Sequence, residues 1–376
     1  MEGTMSFENL PEEIKKEILS QTPPRSLAIF MLVSKKWESM IRSLPRPRVL
    51  FATNNVIAHG ACQVLLRSYH QEVQQLFSSG ENHMTIPLER RHTFSPPIRG
   101  LICIQEIQGT RIKLCNPATG VVRDLPLLEP DESLTRITSH LGYEERDYVF
   151  KVLCVRAKHQ RPFNHPRYEV YTVGSGEVSW RRIICKFPHI PIRHGVSDDR
   201  GCLYYFAYSN YDSSKNIMMS FHIKTEDFHP IPPPDGVDLN SGVWRFVKYQ
   251  GGIALVDDDK GLIYEPNGDA YLQTWVRLHN SFNWEMKRIL IAKWRTYAHD
   301  PPNEYGYYNH FRGTVGTGEL VFAPIRVTED GSLDVILYDT TTQTFRKSSK
   351  VQLLGGGHED RSVETFLDHV DSPLPI

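Results

Sequence analysis

The chain has 376 residues, 40% of them hydrophobic and 23% charged, with a formal net charge of -1. This is the composition of a globular protein with room for one large core and a small second module, and a near-neutral molecule has no overall field to draw in nucleic acid. The longest apolar runs fall far short of the roughly 20 residues of a membrane span, so no membrane partner is expected.

The start, MEGTMSFENLPEEIKK, has no basic stretch followed by an apolar segment and a small-residue cleavage site, so it does not read as a secretory leader. Six cysteines, Cys62, Cys103, Cys115, Cys154, Cys185 and Cys202, are scattered without a C-x-x-C pair. That usage suits reduced thiols, and the expected location is the cytoplasm and/or the nucleus.

Helices are predicted first. Leu10, Ile14 and Ile18 recur every fourth residue against Glu12, Glu13, Lys15, Lys16 and Glu17, the pattern of an amphipathic helix. Pro11 is placed in the first turn, Asn9 with Glu12 fits a capping box, and Phe7 is positioned as a staple. After a stop near QTPPR, a second helix from about Ser26 would carry Leu27, Phe30 and Met31 on one side. A third, capped by Ser34, would align Trp37, Met40 and Ile41.

The period then changes. Pro45 and Pro47 end the helical pattern, and residues 60–80 fit helix or strand equally. From about residue 95, strand, polar turn and strand recur in IKLCNPATGVVRDLP, YEVYTVGSGEVSWRRI, MSFHIKTEDFHPIPPP, LIYEPNGDAYLQTWVRL and VILYDTTTQTFRKSS. Further strands precede several of these, as in DYVFKVLCV, RGCLYYFAYS and YQGGIALVDD. Units of roughly 50 residues with about four strands are what propeller blades look like in sequence. Each must stack on its neighbours to share a core. AHDPPNEYGYYNHFRG is expected to be an insertion loop, and the tail after LLGGGHED to be polar and partly disordered.

Two family resemblances follow from these residues. Leu10-Pro11, Ile14, Ile18-Leu19, Ser26-Leu27, Phe30, Val33-Ser34-Lys35, Trp37 and Ile41 resemble an F-box, with Thr22-Pro23 where that family usually has Leu-Pro. RGLICI, NPATG, LGYEERDYVFKVLCV, SWRRI, GCLYYFAY, MSFHIKTEDFHPIP, YQGGIALV and LYDTTTQTFRKS resemble, in order, the type 3 F-box-associated interaction domain of plants. Residues 51–94 carry little of that pattern. The expected fold is therefore mainly β with a small α-helical N-terminal module: a three-helix F-box at 4–44, a linker and possible first blade at 45–94, a propeller-like domain at 95–349 and a polar tail at 350–376.

A module of roughly 40 residues without metal or disulfide is at the size where a partner is needed for stable folding. The resemblance names that partner as the small S-phase-kinase-associated-type adaptor and, through it, a cullin scaffold. It implies adaptor contacts from Leu10, Pro11, Ile14, Ile18, Leu27, Phe30, Val33, Trp37 and Ile41. The alternative is that such residues pack the head internally, which is the expectation for Met31 and Met40.

Motifs for chemistry are weak. Asp257-Asp258-Asp259 lacks the Gly and Glu positions of a calcium loop and reads as a solvated hairpin turn. His189 and His194 have no metal-ligand spacing and read as surface or loop histidines. The run GTVGTGEL has the wrong glycine order for a phosphate cradle and reads as a turn. No cofactor or metal is expected. Tyr305, Tyr307, Tyr308 and His310 sit among turn residues in a composition suited to binding a target, with plain loop structure as the alternative. The function expected is a non-catalytic substrate-recognition subunit of an SCF-type ubiquitin ligase with an unidentified target protein. The rivals are a propeller enzyme working at the central channel and a carbohydrate- or small-ligand-binding propeller.

Overall fold

The computed structural model describes residues 7–42, 44, 47–56, 62–70, 82–88, 90–107, 109–129, 136–158, 166–176, 179–198, 200–210, 215–277, 283–298, 309–316, 318–347, 351–353 and 362–373. A 3-10 turn (Phe7–Asn9) leads into α1 (Glu12–Ser20), α2 (Pro24–Met31) and α3 (Lys35–Arg42). Ser34 Oγ accepts a hydrogen bond from Trp37 N at 3.2 Å, the N-cap that the sequence predicts for α3. The capping box is absent: Pro11 is the N-cap of α1 and no side chain caps it, because Asn9 is held in the 3-10 turn. Phe7 stacks instead on Trp37, with ring centroids 4.7 Å apart.

The rest is a six-bladed propeller. The first blade holds β1 (Pro47–Val56), β2 (Cys62–His70) and β3 (Asn82–Leu88). The second is β4 (His92–Phe94), β5 (Ile102–Glu106), β6 (Ile112–Asn116) and β7 (Val121–Asp124). The third is β8 (Arg136–Glu144), β9 (Val149–Ala157), β10 (Arg167–Thr172) and β11 (Arg181–Ile183). In the fourth, β12 (His189–Pro191) and β13 (Val196–Ser197) together form the inner strand against β14 (Cys202–Ser209), followed by β15 (Asn216–His222) and β16 (Phe228–Ile231). The fifth runs β17 (Trp244–Tyr249), β18 (Gly252–Asp257), β19 (Leu262–Tyr264), β20 (Ala270–Arg277) and β21 (Trp284–Ile291), with β18 and β19 on one edge of β20 and β21 on the other. A short α4 (Trp294–Ala298) precedes the sixth, built from β22 (His310–Thr314), β23 (Leu320–Ala323), β25 (Ile336–Asp339) and β26 (Thr344–Lys347). A two-stranded pair, β24 (Ser332–Leu333) with β27 (Val351–Gln352), flanks it.

Closure comes from the other end of the chain. β28 (Glu364–Val370) pairs antiparallel with β1 and is the inner strand of the first blade. The stretch expected to be a linker and possible first blade thus holds the outer three strands of the first blade, β1 to β3, and then the inner strand of the second, β4. The tail expected to be partly disordered contains the strand that completes it; its alternate residues Thr365, Leu367 and His369 are buried. Arg48, 1% exposed, is locked to Asp371 at 2.9 Å and to Ser68 through Oγ and the carbonyl oxygen. Burial lowers the Arg48 pKa, while the charge and hydrogen bond of Asp371 oppose that shift.

The blades share cores as stacked units should. Strands such as β18 are buried on both faces, which is why residues 252–256 read as an unbroken apolar run. Leu153, Val155 and Val170 of the third blade pack with Leu203, Tyr205 and Phe221 of the fourth. Inner strands lie side by side in one direction: Arg245 donates to the Phe311 carbonyl, and Gln250 N donates to Thr314 Oγ1. Between them Gly313, at φ 126°, lies so close to β17 that a Cβ would stand 2.4 Å from the Lys248 carbonyl oxygen. The head joins the same core. Leu19, Leu27, Met31, Met40 and Ile41 form one cluster with Leu101, Leu114, Leu141 and Phe150, and Arg25 Nε donates to the Thr119 carbonyl at 2.9 Å.

Removing one partner of a buried ion pair leaves an uncompensated charge, at a cost of about 3 to 5 kcal/mol. Asp371→Ala is expected to lower the stability of the propeller by about 3 kcal/mol in urea unfolding. Arg48→Met with Asp371→Leu should recover most of that loss.

Candidate functional site: an exposed apolar head and a charged central channel

Packing against the propeller gives the head two unlike sides. Leu27 and Ile41, expected to contact an adaptor, are 1% and 3% exposed and lie inside the core shared with the propeller. Phe30 and Trp37 are half-buried and meet edge to face with centroids 5.3 Å apart, so most of their surface is spent within the head. Met31 and Met40 are buried, as internal packing residues should be.

The other side is aliphatic and open. Ile14 and Ile18 of α1 are exposed, as are Ile29 of α2 and Leu32 and Val33 just after it, with Leu32 at 85%. Pro11 is exposed beside them in sequence, and Leu10 is half-buried. Of the expected contacts, the structure therefore presents Pro11, Ile14, Ile18 and Val33 to solvent. Ile29 and Leu32, which are not among the expected contacts, are exposed with them, and the sequence carries a signal for this. Once Leu27, Phe30 and Met31 define the inner side of α2, apolar residues out of that register have no core to fill.

The second candidate is the channel on the propeller axis, a cavity of about 1260 Å³ lined by the inner strands. Asp258 faces it with its carboxylate bound by Arg245, whose Nη2 stands 2.7 Å away, and with His310 Nδ1 at 3.8 Å. Burial pushes the Asp258 carboxyl up, and the Arg245 charge more than offsets this, so its pKa stays below the ordinary value. The aspartate triplet is thus not a freely solvated turn; its middle member is 10% exposed and ion-paired. Arg312 donates through Nε and Nη2 to the Ala323 and Pro324 carbonyls, and burial together with the neighbouring Arg245 lowers its pKa to about 10. His310 belongs to β22, where burial lowers its pKa. Tyr305, Tyr307 and Tyr308 lie outside the described residues.

His189 and His194 are also unlike the surface or loop groups expected, and of the two only His194 lines the channel. His189 is fully buried, its Nδ1 at 2.6 Å from the Phe187 carbonyl and its Nε2 at 2.7 Å from Tyr205 Oη. His140 stacks on Tyr205, with centroids 4.7 Å apart, and His194 Nδ1 lies 2.6 Å from the Ser139 carbonyl. Among the described residues no group of three His, Cys, Asp or Glu side chains is arranged to hold a metal ion. These histidines are neutral packing groups. Burial lowers His189 to about 4 and His369 to about 3, and His140 well below its ordinary value.

Comparison with known proteins agrees with both parts. Residues 7–48 match the F-box domain, and residues 48–370 match the F-box associated beta propeller domain. The chain is 53% identical to the F-box protein At1g76830 of Arabidopsis thaliana, over 100% of both chains. It is 36% identical to the F-box protein At1g70970 of the same plant, over 99% of each. Among solved structures, a chain of the nidogen/laminin complex covers 86% of this chain, and 99% of its own length is matched, at a TM-score of 0.45 and 11% identity.

Histidines whose pKa values are depressed by folding bind fewer protons in the native state than in the unfolded one. Stability is therefore full above the unfolded value of about 6.5 and is lost as pH falls towards the folded values. For His189 and His369 that window runs from about 6.5 down to about 4 and 3. The loss approaches about 1.4 kcal/mol per pH unit for each group within it. Urea unfolding at several pH values is expected to show this slope, and His369→Leu should reduce it by about one proton.

Proposed function

Because the chain belongs to the F-box proteins that carry an F-box-associated β-propeller domain, we propose that it is the substrate-recognition subunit of an SCF-type ubiquitin ligase. The observation that carries this reading is the two-sided head. Its inner face is satisfied by the propeller, yet Ile14, Ile18, Ile29, Leu32 and Val33 remain in water. A large aliphatic side chain contributes about 1.5 to 3 kcal/mol when it is fully buried, so an open set of this size is a docking surface more readily than an accident of packing. The occupant proposed is an S-phase-kinase-associated-type adaptor bound to a cullin.

On this reading the chain contributes no reacting group. The head holds the adaptor, the propeller holds a target protein, and a target lysine is kept near a ubiquitin-loaded conjugating enzyme at high effective concentration. The proposed setting is the cytoplasm or nucleus, in keeping with six free cysteines.

The test is capture of a plant adaptor of this class by the full chain. Leu32→Asp and Ile18→Asp change exposed positions and are expected to abolish capture, with circular dichroism and urea unfolding within about 0.5 kcal/mol of wild type. Leu27→Ala alters the shared core and should lower stability by about 2 to 5 kcal/mol while leaving capture by the folded fraction intact. Capture that survives both aspartate substitutions would refute the proposed docking face.

A further inference from the structure

The channel has two unlike mouths. Inner strands run in one direction around the axis, so one mouth collects their first residues and the other collects their last. At the mouth where they end, cations are matched: Arg99 is paired with Glu145, and Lys248 with Asp368 at 3.0 Å. Asp198 lies near the same end, after β13.

Five blades each place one arginine in the channel: Arg91, Arg136 and Arg245 at the mouth where the inner strands begin, and Arg193 and Arg312 part-way along theirs. The first blade supplies Glu364 instead, and Asp258 answers Arg245. Arg136 is held by the Pro191 and Ile192 carbonyls at 3.1 and 3.3 Å and lies over the Tyr208 ring. Arg312 is spanned by two carbonyls, and Arg193 is exposed. Among the described residues none of these three forms a direct ion pair: backbone carbonyls position Arg136 and Arg312, and Glu364 and Asp258 act on Arg312 only through space. That excess sits on a chain whose formal net charge is only -1.

From this ring of arginines we propose that the mouth opposite the matched one binds an extended acidic peptide segment, with carboxylate or phosphate groups seated among Arg136, Arg193 and Arg312. As a statement about the target this rests on the recognition role proposed above; as a statement about binding it does not. The channel, at about 1260 Å³, is larger than the 300 to 1,000 Å³ typical of a small-molecule site and can admit several residues of an extended chain. Guanidinium groups suit planar two-oxygen acceptors. A nucleic-acid backbone calls for an unbroken basic stripe across an open surface, whereas these arginines line a channel and are interrupted by Asp258 and Glu364.

The experiment is fluorescence anisotropy at low salt with the full chain and a fluorescein-labelled hexaglutamate peptide. Hexalysine, oligothymidylate and inorganic phosphate serve as comparators. Hexaglutamate is expected to bind, and Arg193→Glu, an exposed change, should weaken binding roughly 10-fold. Arg99→Glu at the far mouth makes the same change of charge and should leave affinity within about twofold. Absence of hexaglutamate binding, equal losses in the two variants, or displacement of the peptide by phosphate or oligothymidylate at lower concentration than by unlabelled hexaglutamate would each overturn the proposal. No adaptor is present in this assay, so its failure leaves adaptor capture untouched, and the reverse also holds.

Discussion

The pairing of β28 with β1 is the constraint on which the rest depends. A ring of blades has no outer partner to hold it shut, and here the two ends of the propeller meet inside one sheet. The first blade has its inner strand from residues 364–370 and its outer three from 47–88, so the ring is complete only when both ends are in place. Arg48 and Asp371 fix that junction by a charged bond in a dry site, where register matters more than raw stability. The register itself shifts between Arg48 and Leu50, a local irregularity that sets His369 beside Arg48.

The same junction governs the head. The helical module leaves off where β1 begins, and its inner face is completed by Leu101, Leu114, Leu141 and Phe150. Smallness alone suggested that the head needs a partner to bury its apolar residues. The structure divides that need. The propeller supplies one partner surface within the chain, and the exposed aliphatic side chains are what is left for another.

How much of this could be read from the sequence follows from which interactions are local. Helix α3, with Ser34 as its cap, and the hairpins around NPATG and DTTTQ are local in chain and were legible. The strand in RGCLYYFAYS was also legible, and within it Tyr205 packs towards the third blade and Tyr204 and Phe206 towards the fifth. Ring closure was not, because β28 and β1 are separated by nearly the whole chain and the strand resembles a polar tail until its partner is known. His189 misled for a similar reason: its partners Tyr168 and Tyr205 come from neighbouring strands, and only their arrival turns a loop histidine into a buried one. The arginines of the channel left a fainter trace. They recur once in five of the six blades, in or just before the inner strand, a period that becomes visible only when the blades are already aligned.

Strand direction then relates the two candidate surfaces. Arg25 reaches Thr119 in the turn from β6 to β7, and alternation of strands puts that turn at the same end of the blade as the turn from β4 to β5. This is the end at which the inner strands finish and at which Arg99 meets Glu145. The head is therefore anchored towards the mouth whose charges are matched, and the ring of arginines opens at the other. A chain arranged in this way can hold one protein by apolar contact at the head and draw another by charge at the far mouth, without either site competing for the same surface. Their separation is fixed by the shared core of the head and the second and third blades, so the distance between two bound partners would be set by packing within this chain and not by a loose tether.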